Sequence, residues 1–464
     1  MNRKETVIFL VLIILTLPFG WVTGEWVSLC LAYISLGIII FSKDLSKDLT
    51  LCSFAILAVL VRHLASLINY YYFLLMGADM DAVGFHNNAS AIASSIQPAW
   101  FGEFGKLEAG SKVYSEYLAF FYRIFGESKL LGQTLSIIAF SLSFLVLIKI
   151  TKSLRLTRFG VGLAVFYGLL PSAIIFTSIT LREVYQMLFF LMSIYFAICL
   201  KKKATLPTMI MLIIGAIGLA VLHNGLLVYS IFLVCLSFFW GLGFSFTNWS
   251  KKNPVTKLVG VLLIIGIVGA WATYASDMGG ASRALMSGEG GDYAGIYREQ
   301  TGTDRSTYGG KLDTSSSITF IPSAAVVFAF YILAPFPWQI STGADVYGAL
   351  EGYLRLILIY HGVKTWYRSR GERRSQWLYL LICFFSLEFL WAMGTSNWGT
   401  AIRHHLVAYG VLVILGGPGL IKSMTRRVSG VGRRFRKSEG GLPARRIRPV
   451  GLLPQRSQSS RGNL

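Results

Sequence analysis

The sequence predicts an all-α polytopic membrane protein with about 12 transmembrane helices and one further re-entrant or interfacial segment. Hydrophobic residues make up 54% of the 464 residues and charged residues only 14%, whereas soluble domains carry about 25% charged residues. The mean hydropathy is +0.59, and apolar stretches long enough for a spanning helix recur along the chain. We therefore expect most of the protein surface to face lipid.

The candidate helices are the apolar stretches at 6–21, 26–42, 49–76, 130–150, 159–179, 184–200, 205–222, 225–244, 257–275, 318–336, 347–366, 377–394 and 405–421. The first follows a short basic start and has no clear small-residue cleavage site after it, so we expect a retained helix. Segment 318–336 ends in Ala334-Pro-Phe-Pro-Trp338, and two prolines so close together break a helix. We expect that segment to be re-entrant or interfacial.

Lysine and arginine mark the cytoplasmic loops of membrane proteins. Such residues lie at 3–4, 43–47, 149–158, 201–203, 251–257 and 368–374, and throughout the C-terminal tail. If 318–336 does not cross, all of these loops fall on one side. The pattern predicts a multi-pass protein of the cell inner (cytoplasmic) membrane with both termini cytoplasmic, and a miscounted helix elsewhere is the alternative.

The chain divides into an integral membrane domain at 1–424 and a basic tail at 425–464. The tail is rich in Arg, Pro, Gly and Ser, a composition typical of disorder. The chain's net charge of +21 therefore indicates attraction of this tail to anionic lipid beside the membrane, and we expect no nucleic-acid partner.

Two long loops are predicted on the external side. Loop 77–129 mixes charged and aromatic residues and predicts short amphipathic helices on the outer leaflet. Loop 276–317 is rich in Gly, Ser, Thr and Asp, and its length favours a mobile lid or binding loop.

The first external loop carries Asp79, Asp81 and His86 just beyond a long apolar helix. Ionisable groups are costly beside hydrocarbon, so each is a candidate functional group. The two aspartates lie two residues apart and cannot share a helix face, so they have different roles. Either can simply cap the next helix, and whether the pair binds a divalent metal ion stays open.

Arg182 and Glu183 occupy the shortest external turn, and His223 ends another span on the same side. Arg182 suits phosphate binding because guanidinium forms paired hydrogen bonds to phosphate oxygens. An interfacial anchor at Arg182–Glu183 and a structural histidine at His223 are the alternatives.

The segment 394–405 links the last two spans and contains Asn397, Arg403, His404 and His405. We expect a tight external turn there that exposes backbone N–H groups, and a plain polar turn between helices is the alternative. Glu351 and Arg355, four residues apart, predict an ion pair. Arg62 lies in mid-span and must face the protein interior.

These carboxylates and basic groups are all predicted on one face. The inventory suits a lipid-linked phosphate substrate, with Arg and His neutralising a leaving phosphate and a carboxylate acting as general base on a sugar hydroxyl. Aromatic side chains of the first loop would stack on sugar rings or lie among headgroups.

Three motifs resemble the GT-C superfamily of membrane glycosyltransferases. They are Asp81-Ala-Val-Gly-Phe-His86, the Pro171–Glu183 segment with its Pro, Ser, Arg and Glu, and Asn397-Trp-Gly-Thr-Ala-Ile-Arg-His404. The resemblance implies a polyprenyl-phosphate-linked sugar donor, a glycan or lipid-linked acceptor, and inverting transfer on the extracytoplasmic face. It also implies that Asp81 is the base and that Arg403 binds phosphate.

The sequence leaves two alternatives open. An O-antigen-type polysaccharide polymerase would also have about a dozen spans and external basic groups, but would join lipid-pyrophosphate-linked repeat units. A lipid-linked glycan transporter would place its ionisable groups along a path at mid-membrane, whereas most of them lie at one surface here.

Overall fold

The computed structural model describes residues 18, 20, 22–79, 81–95, 109–242, 290–301 and 307–439. Within these ranges the chain is mostly helical and forms no strand, so the all-α prediction is confirmed. The helices are α1 (Trp26–Ile40), α2 (Leu49–Tyr71), α3 (Asp81–Ser94), α4 (Ala109–Phe125), α5 (Lys129–Ser153), α6 (Gly160–Leu169), α7 (Pro171–Thr177), α8 (Glu183–Lys202), α9 (Leu206–Val221), α10 (Asn224–Leu242), α11 (Gly290–Thr301), α12 (Ser317–Leu333), α13 (Gly343–Arg368), α14 (Gly371–Gly394) and α15 (Trp398–Glu439).

Among the described residues, five helices are long and apolar enough to cross a membrane, namely α2, α5, α8, α14 and the Trp398–Arg426 part of α15. Helices α6 and α7 add a sixth if they count as one broken span. Helices α1, α9, α10 and α12 are apolar but shorter. Predicted segment 257–275 and most of 6–21 lie outside the described residues, so the number of spans stays a prediction.

Helix α5 runs through the interior of the bundle, where other helices bury 78% of its most apolar stretch. It packs against α1, α2 and α8. The Ser128 Oγ caps its start by accepting hydrogen bonds from the backbone N–H groups of Leu130 and Leu131. Buried hydroxyls along the helix, such as that of Thr134, donate to carbonyls one turn earlier, which makes their burial inexpensive.

The predicted span 159–179 is not one helix, because α6 and α7 meet at a bend of 58°. Leu170 has the extended backbone, with φ −64° and ψ 126°, that a following proline favours. Pro171 also lacks the N–H group that would continue the helix. A single residue therefore divides an otherwise uniform apolar run into two short helices.

Arg62 lies in the interior beside this break, as its mid-span position predicts. Its guanidinium donates to the Gly168 carbonyl, which the break leaves without its helical partner, at 2.7 Å. It also donates to Thr177 Oγ1 at 2.6 Å and to the Ala58 carbonyl at 2.7 Å, and it stacks over the Phe140 ring. One side chain thus joins α2 to both halves of the broken span.

The other side of the break is held by α13. The Ser172 backbone N–H donates to the Tyr347 hydroxyl and to Glu351 Oε1. Arg355 donates to the Ile332 carbonyl instead of to Glu351. The predicted Glu351–Arg355 ion pair is therefore wrong, because backbone groups freed at the broken helix and at the end of α12 bind these side chains first.

Loop 77–129, which the sequence predicts to be external, contains two short helices, α3 and α4, as predicted, although residues 96–108 lie outside the described part. The two helices pack against each other through an edge-to-face contact of Phe85 and Tyr114, whose ring centroids are 4.9 Å apart. The Arg123 guanidinium donates to the Ile92 carbonyl at 2.7 Å and closes the far end of the pair.

The predicted turn at 394–405 is much shorter than expected. Helix α15 already begins at Trp398, and Asn397 Oδ1 caps it by accepting a hydrogen bond from the Thr400 backbone N–H at 2.7 Å. Gly399 and Thr400 are tolerated in the first turn because the cap satisfies the free N–H groups there. Arg403 therefore projects from a helix and not from a turn.

Part of loop 276–317 is anchored to that same turn. Arg298 of α11 is buried and donates to the carbonyls of Ala392 and Thr395. The Tyr308 backbone N–H donates to the Ser396 carbonyl at 3.0 Å. The predicted mobile lid is thus fixed at these points, whereas residues 276–289 and 302–306 lie outside the described part.

The C-terminal residues form a separate unit. The chain separates into the units Met1–Ile421 and Lys422–Leu464, close to the boundary predicted at 424. Helix α15 continues to Glu439, so the first part of the tail predicted as disordered is helical. Residues 440–464 lie outside the described part.

We expect replacement of Arg62 to destabilise the bundle. Arg62→Met keeps much of the side-chain volume but leaves the Gly168 carbonyl without a donor, a loss of about 1–3 kcal/mol. The apparent melting temperature of the purified protein in detergent measures it. Lys149→Met on the exposed face of α5 is the matched control, and equal melting of the two variants would contradict the assigned role.

The predicted topology is testable with single cysteines at exposed positions of a cysteine-free variant. Cysteines at Asn88 and Ser315 should react with an impermeant thiol reagent in intact cells, because their loops are predicted external. Cysteines at Lys203 and Arg370 should react only after lysis. Reversal of the two patterns would invert the orientation.

Candidate functional site

Arg403 is the centre of the candidate site. Its guanidinium lies 2.6 Å from Asp81 Oδ2 and 3.2 Å from Glu183 Oε1. The two carboxylates differ in environment, because the Asp81 side chain is 44% exposed and that of Glu183 only 2%. The Arg403 guanidinium therefore bridges two carboxylates. Glu183 is held in place by burial, whereas Asp81 is accessible and can be replaced by another anion.

Local structure explains the placement of Glu183. It is the first residue of α8, where a carboxylate interacts favourably with the N-terminal end of the helix dipole. The short helix α7 and the turn after it bring the chain directly from the Pro171 break to this position. The Glu183 Oε2 atom has no hydrogen-bond partner among the described residues, so Arg403 is its main stabilising neighbour.

Arg182 joins the first external loop to this site. Its guanidinium donates to Ser111 Oγ of α4 at 3.1 Å and lies 5.6 Å from the centre of the Phe85 ring on α3. The aromatic rings of Tyr114 and Tyr117 pack on Tyr185, which lies in the first turn of α8. The loop helices are therefore held over the start of α8.

Two predicted histidines lie beside the arginines around one tryptophan. The His404 ring stacks on Trp391 with centroids 4.0 Å apart, and the His223 ring meets the same indole edge-on at 4.7 Å. Burial, together with the positive charges of Arg182 and Arg403, holds the pKa of His223 well below its usual value. His223 is therefore neutral at physiological pH, which leaves the arginines as the cations here.

His405 and Asn397 do not join this group. His405 points into the bundle, where Nδ1 meets Glu388 Oε2 and Nε2 lies 3.2 Å from the Tyr331 carbonyl. Asn397 caps α15. His405 is separated from Arg403 because two residues along a helix differ by about 200° in direction.

His86 and Asp79 are also separated from Arg403. Asp81 and His86 are both in α3, but His86 is buried, with Nδ1 2.9 Å from the Tyr122 hydroxyl and Nε2 3.3 Å from Glu127 Oε1. Burial lowers the pKa of His86, and the Glu127 carboxylate opposes that shift. Asp79 lies exposed just before the helix. The three residues predicted as catalytic thus occupy three environments.

The sequence analysis assigns no role to three charged residues that make defined contacts in the structure, namely Arg298, Glu127 and Glu388. Arg298 and Glu127 lay in long polar loops, where nothing distinguished them from solvated charges. The sequence does distinguish Glu388, because it is the one acidic residue within the apolar segment 377–394. An intramembrane carboxylate requires a partner, and His405 on the next helix provides it.

The described residues include no group of three or more His, Cys, Asp and Glu side chains placed to bind a metal ion. Asp81 faces Arg403, and the donors nearest to the site are cationic. The arrangement can bind an anion between Arg403 and Arg182 and present the Asp81 carboxylate beside it. A metal at Asp79 and Asp81 receives no support from these contacts.

Comparisons with protein-family models, curated proteins and solved structures each found no match to this chain. The resemblance to the GT-C superfamily depends on the three short motifs given above. The fold brings one residue from each motif, Asp81, Glu183 and Arg403, within ion-pair distance. Residues far apart in the sequence thus form one charged cluster.

The pairing of Arg403 with Glu183 predicts a specific double-mutant result. Arg403→Ala should destabilise the protein by about 3 kcal/mol, because it leaves a buried carboxylate without its cation. Adding Glu183→Gln should restore much of that loss, since the amide carries no charge. Melting temperatures of both variants, with Glu183→Gln alone as control, measure the coupling. Additive effects would show that the two residues do not stabilise each other.

Proposed function

We propose that this protein is a membrane glycosyltransferase that uses a polyprenyl-phosphate-linked sugar donor. The observation that supports it best is the Arg403 guanidinium shared by Asp81 and Glu183, one residue from each motif. A donor phosphate can replace Asp81 at Arg403, while Glu183 keeps the guanidinium in place. Asp81 is then released beside the bound donor.

The reaction proceeds by direct displacement. The acceptor hydroxyl oxygen forms a bond to the anomeric carbon as the bond from that carbon to the phosphate oxygen breaks. The electron pair of the broken bond goes to the lipid phosphate, where Arg403 and Arg182 neutralise the charge. Asp81 accepts the proton of the hydroxyl group. The anomeric configuration inverts because the hydroxyl attacks on the face opposite the leaving phosphate.

The surrounding residues suit the other parts of such a substrate. Tyr117 is the partly exposed member of an aromatic cluster at the start of α8, where it packs on the buried rings of Tyr114 and Tyr185. Aromatic faces bind the C–H surfaces of sugar rings, and tyrosine is also frequent among lipid headgroups. His223 and His404 are candidate hydrogen-bonding partners for the phosphate or for the sugar, beside the arginines.

The proposal includes the membrane arrangement that the sequence predicts. It places about 12 crossings in the cell inner membrane, with both termini cytoplasmic and the Arg403 cluster external. The acceptor is a cell-surface glycan or a lipid-linked acceptor. The basic tail binds anionic lipid on the other face.

A lipid-linked glycan transporter is the second candidate, and the buried Glu388–His405 pair favours it. Intramembrane ionisable residues often belong to a transport path. Here the cavity beside the pair has a volume of only about 20 Å³, space for about one water molecule. A transport path needs more room, so the enzyme is preferred.

The proposal predicts that Asp81→Asn abolishes most activity without unfolding the protein. The substitution is nearly isosteric but removes both the proton acceptor and the exposed partner of Arg403, and loss of the base should reduce turnover by roughly 10²–10⁴-fold. Transfer of labelled sugar from a lipid-linked donor by purified protein in detergent measures it, with melting temperature as the folding control.

Asp79→Asn is the matched variant, because Asp79 is exposed and away from Arg403. It should transfer sugar at close to the wild-type rate, with or without a chelator. A dead Asp79→Asn beside an active Asp81→Asn would reverse the two roles. Full activity of both variants would exclude this loop from catalysis.

A further inference from the structure

A cleft of about 490 Å³ opens between the end of α2, helix α3 and the start of α5. It is far larger than the cavity beside Glu388. Ala82 and Val83 form part of its wall, whereas Asp81 is not among its lining residues and faces Arg403. The cleft therefore lies next to the proposed catalytic group but is distinct from the Arg403 cluster.

Buried polar side chains line this cleft. The Gln133 Oε1 atom accepts a hydrogen bond from Ser66 at 2.6 Å, and the Asn69 Oδ1 atom accepts one from the Leu75 backbone N–H at 2.8 Å. Because both amide oxygens already accept hydrogen bonds from the protein, these residues offer their amide nitrogens to a ligand. The lining thus supplies hydrogen-bond donors for a ligand rich in oxygen.

Glu127 supplies an acceptor at the edge of the cleft, and its side chain is fixed. The Ser90 hydroxyl donates to its Oε2 at 2.5 Å, and His86 Nε2 lies 3.3 Å from its Oε1. The side chain is still 53% exposed, so its remaining lone pairs can reach a ligand. Lys129 also lines the cleft and balances the charge of Glu127. Fixed donors, a fixed carboxylate and no net charge suit a neutral ligand with many hydroxyl groups.

The cleft opens beside an apolar, aromatic surface. Tyr70 and Leu74 belong to its lining, and the chain between them exposes Tyr72 by 80% and Phe73 by 65%. Exposed aromatic residues at the end of a spanning helix are typical of the interface between lipid and water. A ligand that enters here can keep an apolar chain in the membrane.

We propose that this cleft binds the saccharide headgroup of a membrane lipid. This inference rests on the proposed function, in which it assigns the lipid-linked acceptor to the His86–Glu127 side of α3 and the donor phosphate to the Arg403 side. Saccharide and lipid chain are both required, because the polar lining and the apolar mouth recognise different parts of one molecule.

Photocrosslinking tests the site independently of catalysis. The full-length protein carries a benzoylphenylalanine at Val83, in the cleft, or at Asn88, on the exposed part of the same helix. It is irradiated in host membranes whose lipid-linked saccharides are labelled with tritiated glucosamine and galactose. Label at position 83 and none above background at position 88 is expected. Equal labelling of both positions, or label at neither, would overturn the site.

A second arm separates lipid-linked from free saccharide. Tritiated soluble glycan, released from the same cells and added to unlabelled membranes, should not label position 83. Labelling by soluble glycan equal to that by the lipid-linked pool would overturn the lipid part of the inference.

Transfer kinetics then distinguish this inference from the proposed function. Glu127→Gln should raise KM for the acceptor about tenfold and leave KM for the donor unchanged, because it weakens hydrogen bonds to a charged group. Gln133→Leu removes an amide donor from the lining and should do the same, whereas Asn88→Leu on the exposed part of α3 should match the wild type. Normal transfer with an unchanged acceptor KM in both cleft variants would overturn the cleft alone. Crosslinking at position 83 by a protein that never transfers sugar would remove the glycosyltransferase proposal and keep the saccharide site.

Discussion

Every polar group buried in this bundle has to find its partner within the protein, because hydrocarbon offers none. The break at Pro171 makes this constraint visible, since it frees backbone groups in the interior of the bundle. Arg62 binds the Gly168 carbonyl on one side, and Glu351 binds the Ser172 N–H on the other. The packing of α2 and α13 around the broken span follows from those bonds. The break also determines where α8 starts, and with it the position of the external cluster.

The same rule applies to the charges around Arg403. Arg403 comes from the last membrane helix, Glu183 from the middle of the chain, and Asp81 from the first external loop. The cluster therefore requires contacts among three segments that are far apart in the sequence. The solvent exposure of its two carboxylates rises from the buried Glu183 to the exposed Asp81. That gradient gives the guanidinium one permanent partner and one exchangeable partner, a useful property for a group that binds an anion transiently.

The sequence predicted the helical class and the approximate helices, because apolar length is a strong local signal. It also selected Asp81, Arg182, Glu183 and Arg403, since charge at a helix end is conspicuous in an apolar chain. The sequence did not predict in which direction a side chain points from its helix. His405, for example, points into the bundle towards Glu388. The sequence failed for the Glu351–Arg355 pair as well, because spacing along one helix does not reveal competing partners on other helices. The sequence shows a proline at position 171, but the mean hydropathy of segment 159–179 does not show that the helix breaks there.

The Glu388–His405 pair has a consequence for biogenesis. The Nε2 atom of His405 faces the Tyr331 carbonyl and Nδ1 faces the Glu388 carboxylate, so both ring nitrogens meet acceptors. Each ring nitrogen of His405 therefore has a polar partner inside the bundle. A carboxylate inserted alone at mid-membrane costs about 2.5–3.5 kcal/mol. Insertion of α14 and the start of α15 together as a helical hairpin would let each helix supply a partner for the polar side chain of the other. The contact between Glu388 and His405 thus relates the folding of this hairpin to the cost of inserting it.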